Sequence, residues 1–159
     1  MPDTSSINAD HVNTFIASAT NAVETLAGIP IERGVPYVKS LKSHRDYDVS
    51  GGVALTGQLT GLVTMNFTRP VICSLVTKMR GEPVTTIDQS VRDAVSEMVT
   101  AMAESARQQT VEADKDFKIS QPMITSGPHQ SLNYPIGTPC IVVPLKTAPG
   151  EFTIEVAVR

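Results

Sequence analysis

Two long amphipathic segments, each followed by runs of alternating apolar and polar residues, predict an α+β fold. The expected architecture is two long helices packed on a mostly antiparallel sheet of about six strands. A third observation, that the second half of the chain repeats the helix-then-strands order of the first, predicts an internal pseudo-two-fold repeat. With 159 residues the chain has length for one domain with a real core, so 1–159 is expected to be a single domain.

Residues 8–27 carry the first helical pattern. Asn8 is placed to cap it, and Val12, Phe15, Ile16, Ala19, Val23 and Leu26 follow the 3.6-residue period. Gly28 and Pro30 end it. Strands are expected at Pro36–Lys42, Asp48–Gly57 and Thr60–Phe67, the last two joined by a hairpin-length turn. Val63, Met65 and Phe67 alternate with Thr64 and Asn66, which predicts one buried face. A short helix is expected over Pro70–Arg80, with Gly81 as its exit and Pro83 keeping the next residues extended. After a central helix come strand patterns at Phe117–Thr125, Thr138–Thr147 and Glu151–Val158, with Ser126–Pro139 as the longest loop.

The central helix, about Asp88 to Thr110, organises the rest. Val91, Val95, Met98, Val99, Met102 and Ala106 fall on one stripe, which must be its buried face. Asp93, Glu97, Thr100, Glu104 and Arg107 form a second, narrow stripe on the opposite side, and this outward ridge is the candidate site. Read blandly, it is a solvated helix face with a Glu104–Arg107 pair worth about 0.3 kcal/mol. A shift of 83 places Val12, Phe15, Ile16, Ala19 and Val23 onto Val95, Met98, Val99, Met102 and Ala106. A shift of 89 places Gly61, Val63, Met65 and Phe67 onto Gly150, Phe152, Ile154 and Val156. The first helix has Thr14, Ala17 and Asn21 where the ridge has Glu97, Thr100 and Glu104, so only the central helix carries the acidic stripe.

Composition narrows the function classes. Apolar residues make up 41% and charged residues 18%, which is globular rather than disordered. Net charge is −3 and the basic residues are scattered, so no nucleic-acid partner is expected. Cys73 and Cys140 lie far apart with no metal-ligand spacing and read as two buried thiols; a single disulfide is the alternative. His11, His44 and His129 show no ligand spacing, so no metal site is expected. Gly51 and Gly52 read as a bulge or close packing in a strand rather than a phosphate loop. Ser96 and Ser105 lack a base at readable spacing. The opening MPDTSSINAD has neither the basic nor the apolar part of a signal peptide, and no apolar run nears the ~20 residues of a membrane span. The expectation is a cytoplasmic protein without a membrane partner.

Three stretches together resemble the CheX branch of the CheC/CheX/FliY phosphatases of bacterial chemotaxis. They are DYDVSGGVALTGQLTGLVTMNF (46–67); Met79-Arg80-Gly81-Glu82 with Asp88, Val91, Asp93, Ala94 and Glu97; and Ile119-Ser120 with Pro122, His129, Pro139 and the closing strands. Ile7-Asn8-Ala9 and Val12-Asn13 agree as well. The resemblance implies two long helices across a sheet with internal pseudo-symmetry, and pairing of the molecule as a homodimer through its sheets. It implies as partner a phosphorylated CheY-like receiver domain that carries Mg²⁺ beside its aspartyl phosphate, the protein itself needing no cofactor. In the family's Glu-x-x-Asn motif the Glu engages a lysine of the receiver and the Asn positions a water for in-line attack on phosphorus. Carried onto this chain, the catalytic pair is Glu97 and Thr100, with docking by Asp93, Glu97, Glu104 and Arg107. The chain departs from the motif at Thr100, which stands where the family has Asn, and at Glu104 and Ser105, which replace Gly and Asn. Two readings therefore stand side by side: a phosphatase of CheY-like receivers, and a module of the same fold that binds a receiver without hydrolysis. A third is a purely structural homodimer partner.

Overall fold

The computed structural model describes residues 9–39, 47–112, 116–127 and 139–158. Asn8, His44, His129, the end of the strand expected at Pro36–Lys42 and most of the Ser126–Pro139 loop lie outside the described residues. The elements run α1 (Ala9–Ala27), β1 (Glu32–Arg33), β2 (Tyr37–Val38), β3 (Val49–Gly57), β4 (Gly61–Phe67), α2 (Arg69–Arg80) and α3 (Gln89–Glu112). β5 (Phe117–Ile119), β6 (Met123–Ser126), β7 (Ile141–Lys146) and β8 (Glu151–Val158) complete the chain.

All pairings are antiparallel, and the strands form one sheet in the order β1-β7-β8-β4-β3-β5, with β2 also on β7 and β6 also on β3. That order is a palindrome about the central β8–β4 pair once β1 to β4 are matched to β5 to β8. Met65 pairs directly with Ile154, the two residues that the shift of 89 makes equivalent, so the pseudo-two-fold axis passes between them. Phe67 and Phe152 stack beside the axis with ring centroids 4.9 Å apart. Gly61, the first residue of β4, and its equivalent Gly150, just before β8, have φ of 146° and 148°, a conformation that a side chain would oppose.

Val53, Val63, Met65, Phe67, Val143, Leu145, Phe152, Ile154 and Val156 line one face of the sheet, and α1, α2 and α3 pack there around a common core. Aromatic content is low, and the core is built accordingly from Val, Ile, Leu, Met and Ala around the buried Phe15, Phe67, Phe117 and Phe152. The sheet departs from expectation in three places. Among the described residues it has eight strands rather than about six. β1 is a two-residue exposed strand with no alternation to reveal it. The strand expected over Phe117–Thr125 is two, because Leu55 pairs with Ile119 while Gly52 pairs with Met123, so three steps on β3 match four on its neighbour. The extra residue makes a bulge at Ser120–Pro122, where Pro122 lacks a ladder donor and Ser120 Oγ accepts the Ala54 N–H instead (2.9 Å).

The alternation was expected to leave one face buried. Instead the opposite face is covered at its centre too: Ser50, Thr64, Asn66, Thr153 and Glu155 are all buried. Their polar atoms are satisfied. Asn66 Nδ2 donates to Glu155 Oε2 (2.6 Å), Ser50 Oγ donates to Asn66 Oδ1 (2.6 Å) and Lys39 Nζ pairs with Glu155 Oε1 (2.7 Å). Cys73 and Cys140 are both buried, and neither is in a disulfide.

Candidate functional site

The ridge owes its position to how α3 is fixed at each end and along its inner side. At the start, Asp88 Oδ1 accepts hydrogen bonds from Ser90 Oγ (2.6 Å) and the Val91 N–H (3.2 Å), the role of an N-cap. Those bonds hold its carboxyl below the usual carboxylate range. Along the inner side Val91, Ala94, Val95, Met98, Val99, Met102, Ala103 and Ala106 are fully buried. The helix lies close on β3 because Gly51 has no side chain: a Cβ there would stand 2.5 Å from Val95 Cγ1. On one flank Arg92 bonds Ser126 Oγ and donates to the Ile124 carbonyl (3.2 Å), tying α3 to β6.

The outward stripe is where the helical period places it. Asp93, Glu97, Thr100 and Glu104 are exposed. Asp93 Oδ1 accepts a hydrogen bond from Gln89 Nε2 one turn earlier (2.8 Å). Thr100 differs from most threonines of these helices. Thr14, Thr20, Thr77 and Thr110 donate their hydroxyls to the carbonyl four residues before, whereas Thr100 Oγ1 has no partner among the described residues.

Arg107 does not join the ridge. Its Nε donates to the Phe117 carbonyl (3.0 Å) and lies 3.4 Å from Asp116, so it anchors the far end of α3 to β5. The Glu104–Arg107 pair expected from spacing gives way to this one, because a backbone carbonyl and a carboxylate on the neighbouring strand offer the guanidinium two acceptors at once. Sequence reasoning missed Arg80. Its Nη2 stands 2.9 Å from Glu97 Oε1, bridging from the last turn of α2 to the middle of the ridge. The hydrogen bond to Glu97, then the charges of Glu97 and Asp93, raise the Arg80 pKa further above its ordinary value. An arginine ending a helix beside Gly81 gave a helix stop, and nothing in its spacing pointed 17 residues ahead.

The ridge is an exposed helix face. A hollow of about 580 Å³ lies elsewhere, between Asp48, Arg69, Thr86, Ile87, Ser126 and Gly127. An exposed carboxylate and an exposed hydroxyl one turn apart on such a surface suit a macromolecular visitor better than an enclosed small molecule. Among the described residues no group of three or more His, Cys, Asp or Glu side chains is placed to hold a metal. No helix of the described residues is long and apolar enough to cross a membrane.

Residues 49–146 match the family model of the chemotaxis phosphatase CheX. The chain belongs to the CheX family. Among solved structures it resembles the CheC-like superfamily protein of Shewanella sp. PV-4, at 26% identity and a TM-score of 0.88 over 96% of this chain and 99% of that one. Chemotaxis protein CheX from Desulfovibrio desulfuricans is 30% identical, with a TM-score of 0.81 over 94% and 98%. A CheX from Borrelia burgdorferi, solved as a CheX–CheY–BeF3–Mg²⁺ complex, shares the fold at 20% identity and a TM-score of 0.82 over 96% and 99%. Among the curated proteins none matches the sequence. The chain's architecture, helices on one antiparallel sheet, is the α+β fold class that the alternating and helical periods predict.

Proposed function

We propose that this CheX-family chain hydrolyses the aspartyl phosphate of a CheY-like receiver domain, docking it with Glu97 and holding the attacking water with Thr100. The observation that carries this reading is the exposed pair itself: a carboxylate and an unpartnered hydroxyl one turn apart on a rigid helix. Family membership supplies the reaction class, and the Borrelia burgdorferi complex with CheY supplies the kind of partner. Glu97 meets a cation of the receiver, and the Thr100 hydroxyl hydrogen-bonds a water in line with the P–O bond that breaks. The water oxygen attacks phosphorus, and the receiver aspartate leaves as a carboxylate that needs no proton. Mg²⁺ belongs to the receiver, where it offsets charge on the phosphoryl oxygens. Asp93 and Glu104 border the contact as docking residues. Arg107, turned to β5, serves it by fixing the helix. A single domain over 1–159, a homodimer formed through the sheet and a cytoplasmic site of action belong to the same proposal and rest on the family resemblance.

A second reading is favoured by Thr100 and Glu104 themselves. A threonine hydroxyl stops about one bond short of an asparagine amide, and a misplacement of about 1 Å costs roughly 10²-fold. On that reading the chain binds a receiver without accelerating hydrolysis. The test is to phosphorylate a purified CheY with a small phosphodonor and Mg²⁺, add this protein and follow phosphate release. Acceleration that disappears in Glu97→Ala and Thr100→Ala supports hydrolysis. Binding without acceleration supports the module, and no binding refutes both.

A further inference from the structure

We propose that Arg80 is a positioning residue for the receiver: it clamps the Glu97 carboxylate from α2 and makes the acidic ridge tolerant of an anionic phosphoryl group. The inference rests on the reading of Glu97 as the docking carboxylate. It starts from how firmly the last turn of α2 is placed. Gly81 ends the helix in the left-handed conformation at φ 76°, its N–H bonded to the Thr77 carbonyl (2.8 Å). Thr77 Oγ1 donates to the Cys73 carbonyl (2.8 Å) and accepts the Val84 N–H (3.0 Å), which pins the chain as it leaves. From that turn Arg80 reaches across to Glu97.

A long glutamate on an exposed helix face samples several rotamers. One oxygen held by a guanidinium restricts it, and the carboxylate keeps acceptor capacity for a second cation. Glu97 retains 46% of its side-chain exposure in the pair, so a visitor can reach it. The charge argument is independent. Asp93, Glu97 and Glu104 put three negative charges along the face that a phosphorylated receiver must approach, while Arg107 is spent on Phe117 and Asp116 and Arg92 on Ser126 and Ile124. Among the described residues, Arg80 is the cation that pairs with a carboxylate of the ridge.

The full chain is tested by its Kd for a CheY receiver loaded with beryllofluoride and Mg²⁺, and by phosphate release against receiver concentration. Arg80→Ala is expected to raise Kd and KM about tenfold with kcat within about twofold. The gap should narrow between about 50 mM and about 300 mM salt, because the charge part is screened. Arg80→Lys should recover most of the loss. If Glu97→Ala abolishes binding while Arg80→Ala equals the parent in Kd, KM and salt response, the role of Arg80 is overturned and the reading of Glu97 stands. Tighter binding by Arg80→Ala would overturn it too, by making Arg80 a competitor for Glu97. So would a loss that Arg80→Lys does not restore and that comes with a lower Tm. A parent that neither binds nor accelerates release overturns both the clamp and the docking role of Glu97.

Discussion

Adding one methyl group at Gly51 tests whether close packing of α3 on β3 positions the ridge. A Cβ at that position would stand 2.5 Å from Val95 Cγ1 and 3.0 Å from both Val99 Cγ2 and Ile124 Cδ1. Carbon atoms rest at about 3.5–4.0 Å, so the nearest contact is short by about 1 Å. Val95 has little room to answer, because a β-branched side chain in a helix is held near one rotamer. The strand cannot retreat either, since Gly51 is paired with Met65 on one side and Ile124 on the other. The helix has to lift. Overpacking of this kind costs about 1–3 kcal/mol, partly offset by about 0.4–1 kcal/mol from a stiffer unfolded chain. The midpoint is a net cost of about 1.3 kcal/mol, and at about 2–4 °C per kcal/mol for a chain of this size Gly51→Ala is expected to lower Tm by roughly 3–5 °C. Lifting α3 by about 1 Å also moves Thr100, and phosphate release should fall by up to about 10²-fold. Calorimetry and the release assay are run on the same preparation. Val95→Ala in the Gly51→Ala background should cost less than the two single changes summed, with a coupling of about 1 kcal/mol. A Gly51→Ala protein melting at or above the parent would refute the packing argument.

Four further outcomes follow from the site and its frame. Thr100→Asn is expected to raise the rate of phosphate release by one to two orders of magnitude by the roughly 10²-fold cost of a misplaced water, and Thr100→Val to abolish it, both read in single-turnover assays. Asp88→Ala should lower Tm at pH 7. Because the Asp88 carboxyl lies below its ordinary 3.8 when folded, its contribution is present above about pH 4 and fades as pH falls through the folded value, so the two melting curves should converge in acid. Burial raises the Cys73 thiol and Cys140 is buried as well, so a disulfide-exchange reagent should find no fast thiol in the native protein and two after denaturation. Gly61→Ala would push a Cβ to 2.0 Å from the Ala157 carbonyl oxygen at a positive φ, and soluble expression should fail where Gly28→Ala, with open space around it, still folds.

The parts of this fold that repeat with a period were legible in the sequence. The buried stripe of α3 and the inward residues of β4 and β8 follow 3.6- and 2-residue periods, and the shift of 89 that matches Met65 to Ile154 suggests the repeat whose halves meet at that pair. Alternation also put Thr64, Asn66 and Glu155 on the far face, but it says nothing about whether that face is covered. Two exposed residues such as Glu32 and Arg33 hold no period to detect. The bulge at Ser120–Pro122 was not legible: one strand is expected over Phe117–Thr125, and whether a strand ends or resumes past a proline depends on the register of β3. Arg80 and Arg107 were beyond reach for one shared reason. A long, flexible cation chooses among acceptors that the tertiary fold brings near, and local spacing offered Arg107 the wrong one and Arg80 none.

On the proposed reading, two residues of the ridge, Thr100 and Glu104, depart from the motif that the family resemblance implies, and their effects are unequal in magnitude. Glu104 stands one turn, or about 6 Å, from Thr100. For a side chain as exposed as Glu104, a unit charge at that distance is worth about 0.7 kcal/mol at the dielectric of water, and salt weakens it further. Mg²⁺ on the receiver and Arg80 on α2 both oppose its effect on an approaching phosphoryl group. The reach of Thr100 has no such compensation. A water held about one bond away from the in-line position costs roughly 10²-fold, equivalent to about 2.7 kcal/mol, and salt does not restore it. If the ridge meets a receiver, charge sets how readily the complex forms, and the side chain at position 100 sets whether the complex turns over. The difference between an enzyme and a binding module of this fold then comes down to one hydroxyl, set on a helix that the core holds too firmly to adjust.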